Sequence, residues 1–282
     1  MRHSKKFYFL FFLIFGPSVF LLSGCASLGT YNPATERREF IFIDADQEIE
    51  MGKSFHQELL KQVQLSRDLK DLAWVERVGR TVAQVSDRQD YEYHFFVIEK
   101  DELNAFTLPG GNVYIYTGLL NKLKSDDQLA AVLAHEIGHC AAKHVVKKYQ
   151  AAMGYDLIGN IIFSQIGGEG KAGQLAQMSA SSIMQLIFSS YSRHDEFEAD
   201  HIGIKYMIKA NYRPQGMIET FEILEAQSKG PDVPLILRSH PFIKDRMAAV
   251  KNEIVRRRWE EEKALLKQKE PKAYGEDRDR GQ

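Results

Sequence analysis

Apolar positions between Asp46 and Val85 recur at helical spacing: Ile49, Met51, Phe55, Leu59 and Val63, then Leu72, Val75, Val78 and Val82. This pattern predicts two amphipathic helices. It then shortens. Tyr91 to Glu99, YEYHFFVIE, is rich in aromatic and branched residues and is expected to be a strand. A second such stretch, Val113 to Thr117, follows Pro109-Gly110-Gly111 and should pair with the first as a short sheet. An edge strand carries unpaired backbone groups, so Val113, Tyr114 and Ile115 are candidates for binding an extended peptide as an added strand; a plain structural hairpin is the alternative. Ser125-Asp126-Asp127 then provides an N-cap and an acidic first turn for the next helix.

From Gly154 to Ser192 two apolar stretches flank a Gly-rich break around Gly167-Gly168. The first is about a dozen residues and the second is interrupted by Ser and Gln, so neither spans a bilayer comfortably. Packed helices joined by a flexible linker are the simplest reading, with a mobile lid or a membrane-surface contact as alternatives. Residues 46–255 amount to one domain, and no internal repeat is present. Residues 256–282 are a charged C-terminal tail that begins as a helix.

The N-terminus has its own pattern. Basic residues precede an apolar run from Phe7 to Leu22, broken at Gly16-Pro17 and followed by Leu22-Ser23-Gly24-Cys25. This order predicts a secretory signal over residues 1–24, since a membrane-spanning anchor needs about 20 uninterrupted apolar residues. The four residues ending in Cys25 look like a bacterial lipobox, in which the cysteine is lipidated. Ala26 in place of aspartate favours the outer membrane in lipoproteins of this kind, and Gly, Pro and Thr mark the rest of residues 25–45 as a tether.

Processing would remove Arg2, Lys5 and Lys6 and no acidic residue, taking basic groups from 37 to 34 against 38 acidic, a net charge of -4. Nothing in that balance invites nucleic acid. With Cys25 acylated, Cys140 has no partner for a disulfide and reads as a small buried side chain.

The chemistry lies in HEIGH, residues 135–139. At about 100° per residue, His135 and His139 share one helical face and can reach one ion, while Glu136 lies beside them, placed to hold a water. His144 is rotated about 140° from His139 by the same arithmetic, which leaves it outside the ligand set. A catalytic zinc takes a third protein ligand. The nearby His-Glu-x-x-His-x-x-Gly-x-x-His pattern fails, because residue 142 is alanine and residue 145 is valine. Downstream, in SRHDEFEAD, Glu196 and Asp200 are co-facial at i, i+4 and Glu198 points elsewhere. Like charges so placed repel unless a cation sits nearby. Glu196 is therefore the third-ligand candidate, and Asp200 the carboxylate that orients a ligand imidazole.

HEIGH followed by SRHDEFEAD resembles the M48 family of zinc metallopeptidases, and NAFTLPGGNVYIYTGLL is similar to the segment that precedes the metal helix there. The resemblance covers residues 46–255. It implies an α+β, mainly helical fold: a zincin-type core with a small β-sheet beside the metal-binding helix. It also implies one zinc per chain on His135, His139 and Glu196, with Glu136 as general base. SHPFIKDR resembles the family's His-Pro-x-x-x-x-Arg element. His240 is then an oxyanion donor or a fourth ligand in a resting form, and Arg246 braces the acidic residues. His56, His94, His144, His194 and His201 read as structural or solvated.

The family's integral-membrane members carry transmembrane helices that this chain lacks, so the resemblance is to the periplasmic lipoprotein branch. The expectation is a zinc endopeptidase held by lipid at the bacterial outer membrane, facing the periplasm, that cleaves misfolded or unassembled envelope proteins. A chaperone or assembly factor for outer-membrane proteins, with low or gated proteolysis, is the rival. Retention of Glu136 argues against a purely structural zinc, which needs no base.

Overall fold

The computed structural model describes residues 29–41, 43–165, 180–228 and 233–269. The signal sequence, Cys25, Gly167-Gly168 and residues 270–282 lie outside the described residues. The chain is mostly helical. It runs β1 (Thr30–Asn32), β2 (Arg37–Glu39), α1 (Ala45–Leu60), α2 (Leu69–Ala83), β3 (His94–Ile98), β4 (Ala105–Leu108), β5 (Asn112–Tyr116), α3 (Thr117–Leu120), α4 (Asp126–Ala141), α5 (His144–Gln165), α6 (Ala180–Phe188), α7 (Arg193–Lys209), α8 (Gln215–Gln227), α9 (Leu235–Ser239) and α10 (Ile243–Lys269). Among the described residues, no helix is long and apolar enough to cross a membrane.

The two helices read from the Asp46–Val85 pattern are present as α1 and α2, each capped by an aspartate, Asp44 and Asp68. The two expected strands pair with each other, in a sheet that holds one strand more than the sequence predicts. Its order is β3-β5-β4, with β5 parallel to β3 and antiparallel to β4. Val113, Tyr114 and Ile115 therefore lie in the central strand, each at most 1% exposed, with both backbone edges paired. They are not a substrate-binding edge. The cause is a strand that the sequence reading missed: residues 105–108 turn back onto β5 through Gly110 and Gly111, whose φ of 70° and 83° suits glycine.

Alternation along β5 divides the core. Val113 and Ile115 join the main apolar cluster with α2 and α4, while Tyr114 and Tyr116 face a second cluster made with Phe55 and Leu59 of α1 and Ile183 and Ile187 of α6. A strand buried on both faces reads as a continuous apolar run.

Helix α4 runs through the middle of the main cluster. Ser125 caps it, accepting from the Gln128 backbone N–H at 3.3 Å, and every residue from Gln128 to Ala141 is buried. An all-buried helix has no exposed polar stripe. Its histidines and glutamate thus sit in a dry interior.

The stretch expected to be a loose tether is partly folded. The β1–β2 hairpin docks on the end of α4, where Asn32 Nδ2 donates to the Ala141 carbonyl at 3.1 Å. The terminal helix α10 continues to Lys269, with Val250 and Ile254 buried in the main cluster.

Candidate metal centre

One turn of α4 brings the Nε2 atoms of His135 and His139 to 3.0 Å from each other. Helix α7 supplies Glu196, whose Oε2 lies 3.7 Å from His135 Nε2 and whose Oε1 lies 3.4 Å from His139 Nε2. The turn between α9 and α10 adds His240, with Nδ1 3.3 Å from His135 Nε2 and 2.9 Å from Glu196 Oε1. All four residues are buried, and one ligand atom from each falls within 4.8 Å of every other. Four donors arranged tetrahedrally about 2.0–2.1 Å from a zinc ion stand about 3.3 Å apart. The separations here, 2.9 to 3.7 Å, bracket that spacing, so the donor set is compatible with the metal.

The remote nitrogen of each histidine on α4 is also held. His135 Nδ1 lies 2.9 Å from Asp200 Oδ1, and Arg246 donates to both Asp200 oxygens at 2.7 Å. Arg246 also pairs with Glu196, so one guanidinium is shared by two buried carboxylates and leaves one negative charge for a cation to balance. These are the places that the sequence reading gave to Asp200 and Arg246.

His144 stands outside the donor set, as the helical arithmetic expects, but behind it: His139 Nδ1 is 2.7 Å from His144 Nδ1, a contact that spacing did not predict. The contact arises because Lys143, at φ 57°, ends α4 and restarts the chain as α5. Tyr191 was also missed. Its ring stacks on His139 at a centroid distance of 4.0 Å, and no spacing rule reaches it.

Protonation suits a cation. Burial drives the His139 imidazole well below its usual range against the pull of Glu196, so it is neutral and free to coordinate. Burial would raise Glu196, yet Arg246 and His240 hold it well below the ordinary carboxylate range. Burial likewise opposes ionisation of Asp200, and Arg246 more than offsets it.

Glu136 differs. Burial pushes its carboxyl up despite His240 and His135, and its Oε2 has no hydrogen-bond partner. A buried carboxylate with one idle oxygen beside the donor set is suited to accept a proton. His240 Nε2 is 3.7 Å from Glu136 Oε1.

An apolar cavity opens beside His135 and Glu136, walled by Val132, Met217, Phe221, Leu224 and Ile236. Of the remaining histidines, His56 lies 2.7 Å from the Tyr114 hydroxyl, His201 pairs with Glu253, and His94 and His194 are exposed. Cys140 is buried against Thr107, and its thiol is pushed up to about 12 by burial, which leaves it inert.

Comparison with known proteins agrees with this geometry. The beta-barrel assembly-enhancing protease of Escherichia coli is 28% identical over 213 residues, 73% of this chain and 43% of that protein, so the chain spans less than half of that relative's length. The mitochondrial metalloendopeptidase OMA1 of Schizosaccharomyces pombe is 30% identical over 252 residues, 88% of this chain and 72% of that protein. A mitochondrial metalloendopeptidase OMA1 of Bos taurus is 32% identical over 152 residues, 51% of this chain and 29% of that protein. Residues 69–254 match peptidase family M48, whose members are zinc-dependent, and span the whole cluster of His135, Glu136, His139, Glu196 and His240. The chain belongs to peptidase family M48.

Proposed function

We propose that this chain is a zinc endopeptidase with one zinc per chain, held at the bacterial outer membrane by lipid on Cys25 and facing the periplasm, where it cleaves misfolded or unassembled envelope proteins. The observation that carries the peptidase reading is the convergence of His135, His139 and Glu196 on one point beside the buried, half-unpartnered Glu136. The envelope reading draws on Leu22-Ser23-Gly24-Cys25 and on the printed name of the E. coli relative. The mitochondrial relatives have the same core in another compartment, so the lipobox-like stretch is what favours the envelope.

When bound, zinc polarises the scissile carbonyl and makes water acidic enough to react near neutral pH. Glu136 takes the water's proton on its idle oxygen and delivers it to the leaving amine. Asp200 and Arg246 keep His135 in one tautomer. The apolar walls of the cavity face a side chain next to the scissile bond once the site has opened.

His240 stands within the donor set and so closes the position that substrate needs. It follows Ser239 and precedes Pro241-Phe242, where Phe242 holds φ 69°, an unusual backbone state for a bulky residue. Movement of this turn opens the site and leaves the imidazole near enough to donate to the oxyanion. The closure by His240 also supports the second reading, an assembly factor that binds unfolded outer-membrane proteins and cuts rarely, in contact with the outer-membrane assembly machinery.

The test is zinc content and cleavage of an unfolded protein by the wild type and by Glu136→Gln. Zinc near one per chain in both, with cleavage by the wild type alone, supports the peptidase. Equal zinc with no cleavage by either supports the gated assembly factor.

A further inference from the structure

Each histidine on α4 has a carboxylate and an arginine behind it, but the two arrangements differ in length. His135 reaches Asp200 and then Arg246 directly. His139 reaches His144 at 2.7 Å between Nδ1 atoms; His144 Nε2 lies 3.2 Å from Glu198 Oε2; and Arg37 Nη2 donates to Glu198 Oε1 at 2.5 Å. Arg37 belongs to β2, in the N-terminal hairpin, before the start of the family match at residue 69.

The protons in this chain have one consistent arrangement. If His139 offers Nε2 to the metal, its Nδ1 keeps a hydrogen and donates to His144 Nδ1. His144 then carries its own hydrogen on Nε2 and donates to Glu198, which stays anionic against Arg37. Both imidazoles are neutral and every donor has an acceptor. The hairpin that presents Arg37 is fixed at two further points, Asn32 on the Ala141 carbonyl and Lys147 on Glu39 at 2.6 Å. His144 is 2% exposed, whereas the Arg37 side chain is 47% exposed, so the chain runs from the dry centre to the surface.

We propose that His144, Glu198 and Arg37 are positioning residues that fix the tautomer and ring angle of His139, so that the N-terminal hairpin sets the metal affinity of the site. The proposal rests on the reading of His139 as a metal ligand. Groups that hold a ligand imidazole from behind typically contribute a factor of about 10–100 to metal affinity.

The test is zinc affinity, measured by competition with a chelator in the full chain, for Arg37→Ala, Glu198→Gln, His144→Ala and His144→Gln, together with the unfolding midpoint of each in excess chelator. His144→Ala should weaken zinc binding by about 10–100-fold, and His144→Gln, whose amide can both accept and donate, should recover part of it. Arg37→Ala and Glu198→Gln should weaken binding by smaller factors, without a matching fall in the metal-free midpoint. Arg37→Ala should add nothing once His144 is alanine. Wild-type affinity in both Arg37→Ala and Glu198→Gln overturns the proposal and leaves the zinc site standing, as does an Arg37→Ala loss independent of residue 144. A wild type that binds no zinc overturns both.

Discussion

Gly138 of α4 lies against Ala199 of α7 so closely that a Cβ built on the glycine would stand 2.8 Å from the Ala199 carbonyl oxygen. Gly138 precedes His139 of the donor set, and Ala199 sits between Glu196 and Asp200. This contact sets the distance between the two halves of the metal site. Backbone cannot swing aside as a side chain can, so the helices must part if the space is filled. Gly138→Ala is expected to cost about 1–3 kcal/mol of stability and to weaken zinc binding, because the separation reaches Glu196 directly. Denaturant unfolding and a zinc titration on the same protein check this; unchanged zinc affinity would show that the helix spacing does not control the site.

Arg246 compensates Glu196 and Asp200, and all three are buried. Removing it as Arg246→Met strands two carboxylates in a dry interior. A loss of about 3–5 kcal/mol is expected in the metal-free protein, and a smaller one with zinc bound, since the ion supplies positive charge at the same place. Unfolding with and without chelator measures the difference. An equal loss in both states would separate Arg246 from the metal site.

His240 occupies the fourth corner of the donor set. His240→Ala is expected to bind zinc more weakly and to cleave an unfolded protein faster, because one ligand is lost and one position is opened. A fall in cleavage of about a hundredfold with intact zinc would assign it instead to oxyanion stabilisation.

The cavity walled by Val132, Met217, Phe221, Leu224 and Ile236 is apolar. Cleavage sites mapped along an unfolded protein are expected to carry an apolar residue beside the cut bond. Leu224→Ala enlarges the cavity and should shift that preference toward bulkier side chains. Sites with no side-chain preference in either protein would remove the cavity from substrate selection.

Lys148 donates to the Ser189 carbonyl and lies over the Tyr191 ring, and burial brings its ammonium down to about 8 despite Asp195 and Glu196. Unfolded, a lysine titrates near about 10.4. Between these values the unfolded chain binds the extra proton, so this group's contribution to stability rises with pH across that window. The half-buried charge penalises the fold below about 8, and the penalty is gone above about 10.4. Wild type compared with Lys148→Met at pH 7 and pH 10 should show the wild type gaining on the variant; parallel behaviour would place Lys148 in solvent.

Local spacing determined much of this protein. A turn of helix dictates that residues i and i+4 share a face, so HEIGH placed two imidazoles together and SRHDEFEAD placed Glu196 beside Asp200. Capping chemistry marked the start of α4, and helical periodicity marked α1 and α2. Those relations are short-range and survive without knowledge of the fold. The strand at residues 105–108 stayed hidden because a run of four residues has too few positions to show a period, and its presence moved Val113, Tyr114 and Ile115 from an edge to the centre. His144 stayed hidden because one left-handed residue, Lys143, reset the helical phase. Arg37 on Glu198 and Tyr191 on His139 join residues 161 and 52 positions apart in the chain. Only the packing of the hairpin and helices on α4 creates such contacts, because close approach of distant segments depends on the shapes of whole elements.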